Sequence, residues 1–277
     1  MTTISTTTGA VSAINPTRAL NSAPFLQQVS MMMWRSLITN LRVPAVVIPS
    51  LIISVFFLFV YEASLSGAAN FFLRGQSYLG FILPLSVVSA ALSGAGVAGQ
   101  SIVRDIENGY FDKLLLTPVS RVALVLGPMI TGAVLLGVQT ILLIIIALLM
   151  GLEPATGFPG LLAVLGFAML LGVAFSGFTV GVALRSGSAG ATQGAGFLFF
   201  PLSFLTATFV PLDLLTGWIK TAATYNPITY ILEATRTIIN VGWDTEIILR
   251  GLSSIALLAV VLYIWAFMSL RARTRRK

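Results

Sequence analysis

An all-α, polytopic membrane fold follows from three observations. Of the 277 residues, 57% are hydrophobic and only 9% are charged, where a soluble domain carries roughly a quarter. Several uninterrupted apolar runs approach or exceed the ~20 residues that a helix needs to cross a bilayer core. The basic residues gather between alternate runs rather than inside them. Cys and His are both absent, which excludes a disulfide framework, a thiolate metal site and an imidazole acid–base centre. A net charge of +7 is informative here through its placement along the chain, not as a nucleic-acid footprint.

The first 24 residues are rich in Ser, Thr and Ala without an apolar block. They lack the basic start and hydrophobic run of a secretory signal. A disordered cytosolic tail is expected, either regulatory or without a role. Residues 25–42 place Phe25, Val29, Met32, Met33, Ser36 and Leu37 at helical spacing, with Gln27, Gln28, Arg35, Asn40 and Arg42 on the polar side. This predicts an amphipathic helix at the membrane surface, or else an extension of the first crossing.

Six crossings are expected, at about 43–61, 78–100, 122–150, 161–184, 195–211 and 252–270. Pro201 is tolerable in the fifth because neighbouring helices satisfy freed backbone groups. With both termini inside, the cytosolic segments hold Arg18, Arg35, Arg42, Arg104, Lys113, Arg121, Arg185, Arg271, Arg273, Arg275, Arg276 and Lys277. The outer segments hold only Arg74, Lys220, Arg236 and Arg250. This excess sets the orientation as N-in, C-in. Residues 271–277 form a basic cytosolic tail facing anionic lipid.

No Asp, Glu, Lys or Arg falls inside a span so drawn. Proton-coupled carriers need such groups, so the chain is not expected to hold its own energy source. Sodium coupling through backbone carbonyls stays open. Gly172/Ser176 and Gly177/Gly181 have the small-xxx-small spacing that lets helices approach closely in lipid. The seam they make is either within the chain or between two copies.

The outer segment 212–251 is too long for a simple turn. LDLLTGWIKTAATY and PITYILEATRTIIN both read as helices too short to cross a bilayer, hence an interfacial or re-entrant pair. The second places Ile228, Ile231, Leu232, Thr235, Ile238 and Ile239 on one face, with Glu233 and Arg236 off it. Pro227 suits its first turn and Asn226 its N-cap. Trp218 and Tyr225 suit headgroup depth. The pair either gates substrate release or only seals the outer surface.

One charged segment interrupts the apolar sequence, RDIENGYFDKLLLTPVSR at 104–121, and the topology makes it cytosolic. Ile106, Tyr110 and Leu114 share a helical face with Phe111 and Leu115 beside them, while Asp105, Glu107, Asn108 and Asp112 are polar. Gly109 predicts a bend or a junction of two short helices. Pro118 ends the segment, and Thr117 or Ser120 can cap the next span. A short cytosolic helix exposing Tyr, Phe and Leu beside carboxylates is suited to docking in a groove of another protein.

Glu107, Gly109, Phe111, the Asp112–Lys113 pair, Leu114, Leu115 and the run Thr117, Pro118, Val119, Ser120 and Arg121 together resemble the coupling segment of type-2 ABC exporter permeases. The outer pattern Phe209, Val210 and Pro211, then Trp218 and Ile219, then Asn226, Pro227 and Arg236 is similar to the external helices of that family, nearest its daunorubicin-resistance-type drug and lipid exporters. Tyr110 departs from the pattern, since a small hydroxyl residue often follows the glycine. The resemblance spans roughly residues 25–270. It implies that residues 104, 105, 107, 109–112, 114, 115, 118 and 121 couple to an ATPase. It also implies that Pro211, Trp218, Asn226, Pro227 and Arg236 form an outer gate.

The same resemblance implies a plasma-membrane subunit, in the bacterial inner membrane, paired with itself or a sister permease. Two cytosolic ATPase subunits would bind ATP and Mg, with no cofactor in this chain and no nucleic acid bound. No GxxxxGK[ST] phosphate loop occurs in these residues, so the nucleotide site is expected in a separate chain. The substrate expected is an amphipathic drug or lipid. Two other readings stay open: export of a lipid-linked polysaccharide, and an intramembrane enzyme or scaffold, although no ionisable residue sits in a span for acid–base chemistry.

Overall fold

The computed structural model describes residues 24–42, 48–69, 77–197, 205–206 and 211–275. Among them the chain is helical throughout. The helices are α1 (Phe25–Leu41), α2 (Ile48–Ala69), α3 (Tyr78–Glu107), α4 (Tyr110–Leu115) and α5 (Arg121–Leu149). There follow α6 (Gly157–Ser186), α7 (Ala189–Phe197), a 3-10 turn at Leu212–Leu214, α8 (Gly217–Tyr225), α9 (Pro227–Asn240) and α10 (Thr245–Arg275). Among the described residues, α3, α5, α6 and α10 are long and apolar enough to cross a membrane, and α2 supplies a shorter apolar helix over Ile48–Ser64. The multi-pass class is therefore present in the structure. The expected fifth span and the N-terminal tail lie largely outside the described residues, as do Arg74, Phe209 and Val210.

The ends of the long helices differ from the expected spans in an instructive way. α3 does not stop at residue 100 but continues unbroken to Glu107, so the first four residues of the charged segment are the end of a spanning helix. Asn108 and Gly109 then turn the chain, with Gly109 left-handed at φ 65°, and α4 follows. The bend at Gly109 is thus a junction between one long helix and one very short one. α5 begins where Pro118 forces a break, and its N-cap is Ser120, whose Oγ accepts from the Ala123 amide.

Small residues fix how the long helices pack. A side chain at Gly172 would meet Leu136 and Ala133 of α5, and Ser176 lies against Gly132 of the same helix. Gly177 faces Leu262 and Tyr263 of α10, and Gly181 accommodates the Trp265 indole. Both small-xxx-small pairs of α6 are therefore spent inside the chain, one on α5 and one on α10. Thr179 strengthens the contact with α3 by donating to the Ala95 carbonyl at 2.5 Å.

Two buried apolar clusters result. The larger fills the middle of the bundle and the end bearing α9, around Ile82, Leu136, Leu171, Ile228, Leu232 and Ile239. The smaller sits at the opposite end, around Ile102, Phe111, Met129, Val180, Leu184 and Leu270. Residues 104–121, α1 and the basic end of α10 all gather at this second end.

At the α9 end the expected helix over 212–225 is interrupted. Only Gly217–Tyr225 is α-helical, after the 3-10 turn. α9 is embedded, with Ile228, Ile231, Leu232, Ile238 and Ile239 all buried. Arg236, expected off the buried face, is buried as well. α9 packs between α3 on one side and α6 and α10 on the other, so a helix wheel with one buried face underestimates its contacts.

Candidate functional site

The charged segment folds as a peg held from three directions. Phe111 is 1% exposed, seated in the smaller cluster among α3, α5, α6 and α10. Leu114 is buried behind it. This corrects the expectation that Tyr110, Phe111 and the leucines are displayed together. A six-residue helix has room for only about one and a half turns, so one side must face the bundle, and Phe111 and Leu114 occupy that side three residues apart. The outward side carries Glu107, Tyr110, Lys113 and Leu116, followed by Thr117 and Pro118. Asp112 and Leu115 lie between the two sides. Arg121 is exposed at the start of α5.

The second hold comes from α1, whose expected apolar face is turned inward except for Phe25, joined there by Gln28, Arg35 and Asn40, which were expected on the polar side. Its buried residues are Gln28, Val29, Ser36 and Asn40, whereas Leu26, Met31, Trp34 and Leu41 are exposed. Gln28, Arg35 and Asn40 are turned inward because each finds a partner on the peg, while Ser36 Oγ lies 3.5 Å from Asn40 Nδ2 of the same helix. Gln28 Oε1 accepts from the Ser120 amide at 2.7 Å. Arg104 donates to Asn40 Oδ1 at 2.6 Å, and Asn40 Nδ2 donates to Ser101 Oγ at 3.1 Å. The Arg35 guanidinium engages both carboxylate oxygens of Asp105, one of them at 3.0 Å. Such bidentate pairs are the stronger, orientation-fixing class of ion pair. The same guanidinium lies 4.3 Å from the centroid of the Tyr110 ring. α1 reaches this position because Gly127 lets the backbone of Met32 and Met33 lie directly on α5, where Thr131 Oγ1 donates to the Met33 carbonyl at 3.0 Å. A clue was available in the sequence: Leu26, Trp34 and Leu41 recur at two-turn spacing and mark the outward line.

The third hold is the end of α10. Arg273 donates to the Leu184 carbonyl at the end of α6 at 3.1 Å, and its guanidinium lies 5.8 Å from the Phe111 ring. Arg185 stacks over Trp265 at 4.1 Å and donates to Ser269 Oγ at 3.1 Å. Arg185 was expected as a topology-setting charge and Arg273 as part of the basic tail facing lipid; nothing local in the sequence indicates that Arg185 ties α6 to α10 or that Arg273 lies over Phe111.

At the opposite end lie the residues expected as an outer gate, on α8, α9 and the turn before them. Trp218 is 70% exposed on α8, and Pro211 precedes the 3-10 turn. Asn226 caps α9 by accepting from the Ile228 amide at 3.0 Å, with Pro227 in the first turn. Its Nδ2 also donates to the Leu205 carbonyl at 3.0 Å. Arg236 Nε donates to the Phe81 carbonyl at 2.8 Å, and its guanidinium lies 3.6 Å from the Phe81 ring centroid. The geometry ties α9 to α3 through Arg236, while Trp218 is exposed on α8.

A family model described as ABC-2 type transporter matches residues 27–240, which takes in α1, the peg and α9. The chain belongs to the ABC-2 type transporter family. Relatives include the daunorubicin resistance ABC transporter permease protein DrrB1 of Streptomyces coeruleorubidus, 23% identical over 78% of this chain and 77% of that one. The probable doxorubicin resistance ABC transporter permease protein DrrC of Mycobacterium tuberculosis is 23% identical over 83% of this chain and 85% of its own length. A putative transport permease, ycf38, of Pyropia yezoensis is 24% identical over 83% and 80% respectively. As an ABC-2 permease the chain is a multi-pass transport subunit. The matched region is a membrane domain without a nucleotide-binding domain, and permeases of this family pair with ATPase subunits.

Proposed function

We propose that this ABC-2 permease is the membrane half of an exporter that carries amphipathic drug-like or lipid-like molecules outward. A separate ATPase docks on residues 104–121, two such subunits serve two permeases, and both termini of the chain face the cytosol. The observation that carries this reading is the two-sidedness of α4. Phe111 is seated where α3, α5, α6 and α10 meet, while Glu107, Tyr110 and Leu116 stand exposed on the other side. A push on the exposed side bears on a buried side chain that belongs to the apolar cluster built from α3, α5, α6 and α10, which is how a rigid peg transmits movement into a close-packed bundle. The drug-resistance names of the relatives support the substrate class, and the basic residues at the peg end support the orientation.

The test is purification in mild detergent with identification of bound chains, followed by ATPase assays with amphipathic substrates. The expected result is a co-purifying subunit with a GxxxxGK[ST] phosphate loop whose turnover rises with substrate. Recovery of the chain without any such subunit, or ATP turnover by this chain alone, would refute the proposal.

A further inference from the structure

Tyr110 is the one aromatic ring exposed on the outward side of the peg among the described residues of α4, and the structure gives that ring a dedicated neighbour. Arg35, 75 positions earlier, stacks its guanidinium 4.3 Å from the Tyr110 centroid. That guanidinium cannot swing away freely, because it is paired with both oxygens of Asp105 at the end of α3. The pair is partly shielded, with 33% of the Arg35 side chain and 16% of the Asp105 side chain exposed. Tyr110 itself is 40% exposed and sits between Glu107 and Leu116 on the outward side of the peg. We infer that Arg35 is a positioning residue that fixes the Tyr110 ring as the recognition element for the partner ATPase, so that α1 selects which ATPase this permease accepts.

The physical argument has two parts. An exposed aromatic side chain loses rotamer freedom on docking, and holding it beforehand removes part of that cost. A guanidinium stacked on a ring is a planar contact that Lys reproduces poorly, and one such contact is worth about three- to tenfold in an equilibrium. A purely structural Arg35 would serve the α1–α3 contact alone, and its effects would be independent of residue 110.

This inference rests on the docking role proposed above, and a double-mutant cycle separates the two. The probe is the ATPase subunit identified by co-purification, expressed alone and titrated against the detergent-solubilised permease. Arg35→Met and Tyr110→Leu are each expected to weaken binding about three- to tenfold, and the double variant to bind no more weakly than Tyr110→Leu alone. Arg35→Lys preserves the charge opposite Asp105, which protects the fold. It should weaken binding about two- to threefold when Tyr110 is intact and leave binding unchanged when combined with Tyr110→Leu. Losses that multiply, or losses from residue 35 that are the same in both backgrounds, would overturn the inference. So would wild-type affinity in Arg35→Met. Failure of the wild-type permease to bind the ATPase would instead overturn the docking proposal itself.

Discussion

Removing the Phe111 side chain should release the peg from the bundle, and the size of that release can be worked out. Phe111 is 1% exposed, and truncation of such an aromatic to Ala costs about 3–5 kcal/mol. If α4 opens locally, that loss lowers the opening free energy by about 3 kcal/mol or more, which raises the open population by about two orders of magnitude. Gly109→Ala perturbs the same turn through a different cause. A Cβ there meets nothing within 4 Å, so the cost is the left-handed φ alone, about 1–2 kcal/mol. That is less than the Phe111 anchor contributes, so the peg should remain seated with opening raised about five- to thirtyfold. Lys113 is exposed within α4, and limited trypsin digestion at that bond reports the open population when reclosure is fast. The expected order of cleavage at Lys113 is Phe111→Ala fastest, Gly109→Ala intermediate, wild type slowest. Equal cleavage of Phe111→Ala and wild type would show that Phe111 does not anchor the peg.

Three further outcomes follow from the same geometry. Glu107→Lys reverses an exposed charge and should leave the thermal midpoint within error while abolishing substrate-stimulated ATP turnover of the reconstituted complex; unchanged coupling counts against the docking face. Gly127→Ala forces a methyl group into the backbone of α1, and overpacking of this kind costs about 1–3 kcal/mol. Gly166→Ala, with open space around it, should instead gain about 0.5–1 kcal/mol from helix propensity, and thermal midpoints of opposite sign check the pair. Asn226→Ala removes the cap of α9 and its bond to the Leu205 carbonyl, at about 1 kcal/mol or more; faster hydrogen exchange confined to the first turn of α9 is the readout.

The predictions for the peg depend on three-dimensional facts that differ in how far the sequence announces them. The break at Gly109 and the Pro118 stop were legible, and the cap of α5 was narrowed to Thr117 or Ser120, because each is set by the backbone preferences of one or two residues. The Asn226 cap and Pro227 were legible for the same reason. The inward turn of Phe111 was not, because a helix of six residues is too short for its apolar positions to establish a periodic signal. Arg236 misled in the opposite direction: its charge argued for an exposed face, whereas the Phe81 carbonyl and ring, 155 residues away, allow it to be buried.

By itself the sequence determined the membrane class, the positions of the long helices and the existence of one charged peg between two of them. Hydropathy, helix-breaking residues and charge placement are local quantities, summed over windows no longer than a span. Tertiary structure alone decided which polar residues of α1 are turned inward and which residues brace the peg. Gln28, Arg35 and Asn40 are ordinary polar residues until Ser120, Asp105 and Arg104 come within reach. A polar group is buried or exposed according to whether a partner meets it there, and that partner lies 64 to 92 positions away along the chain.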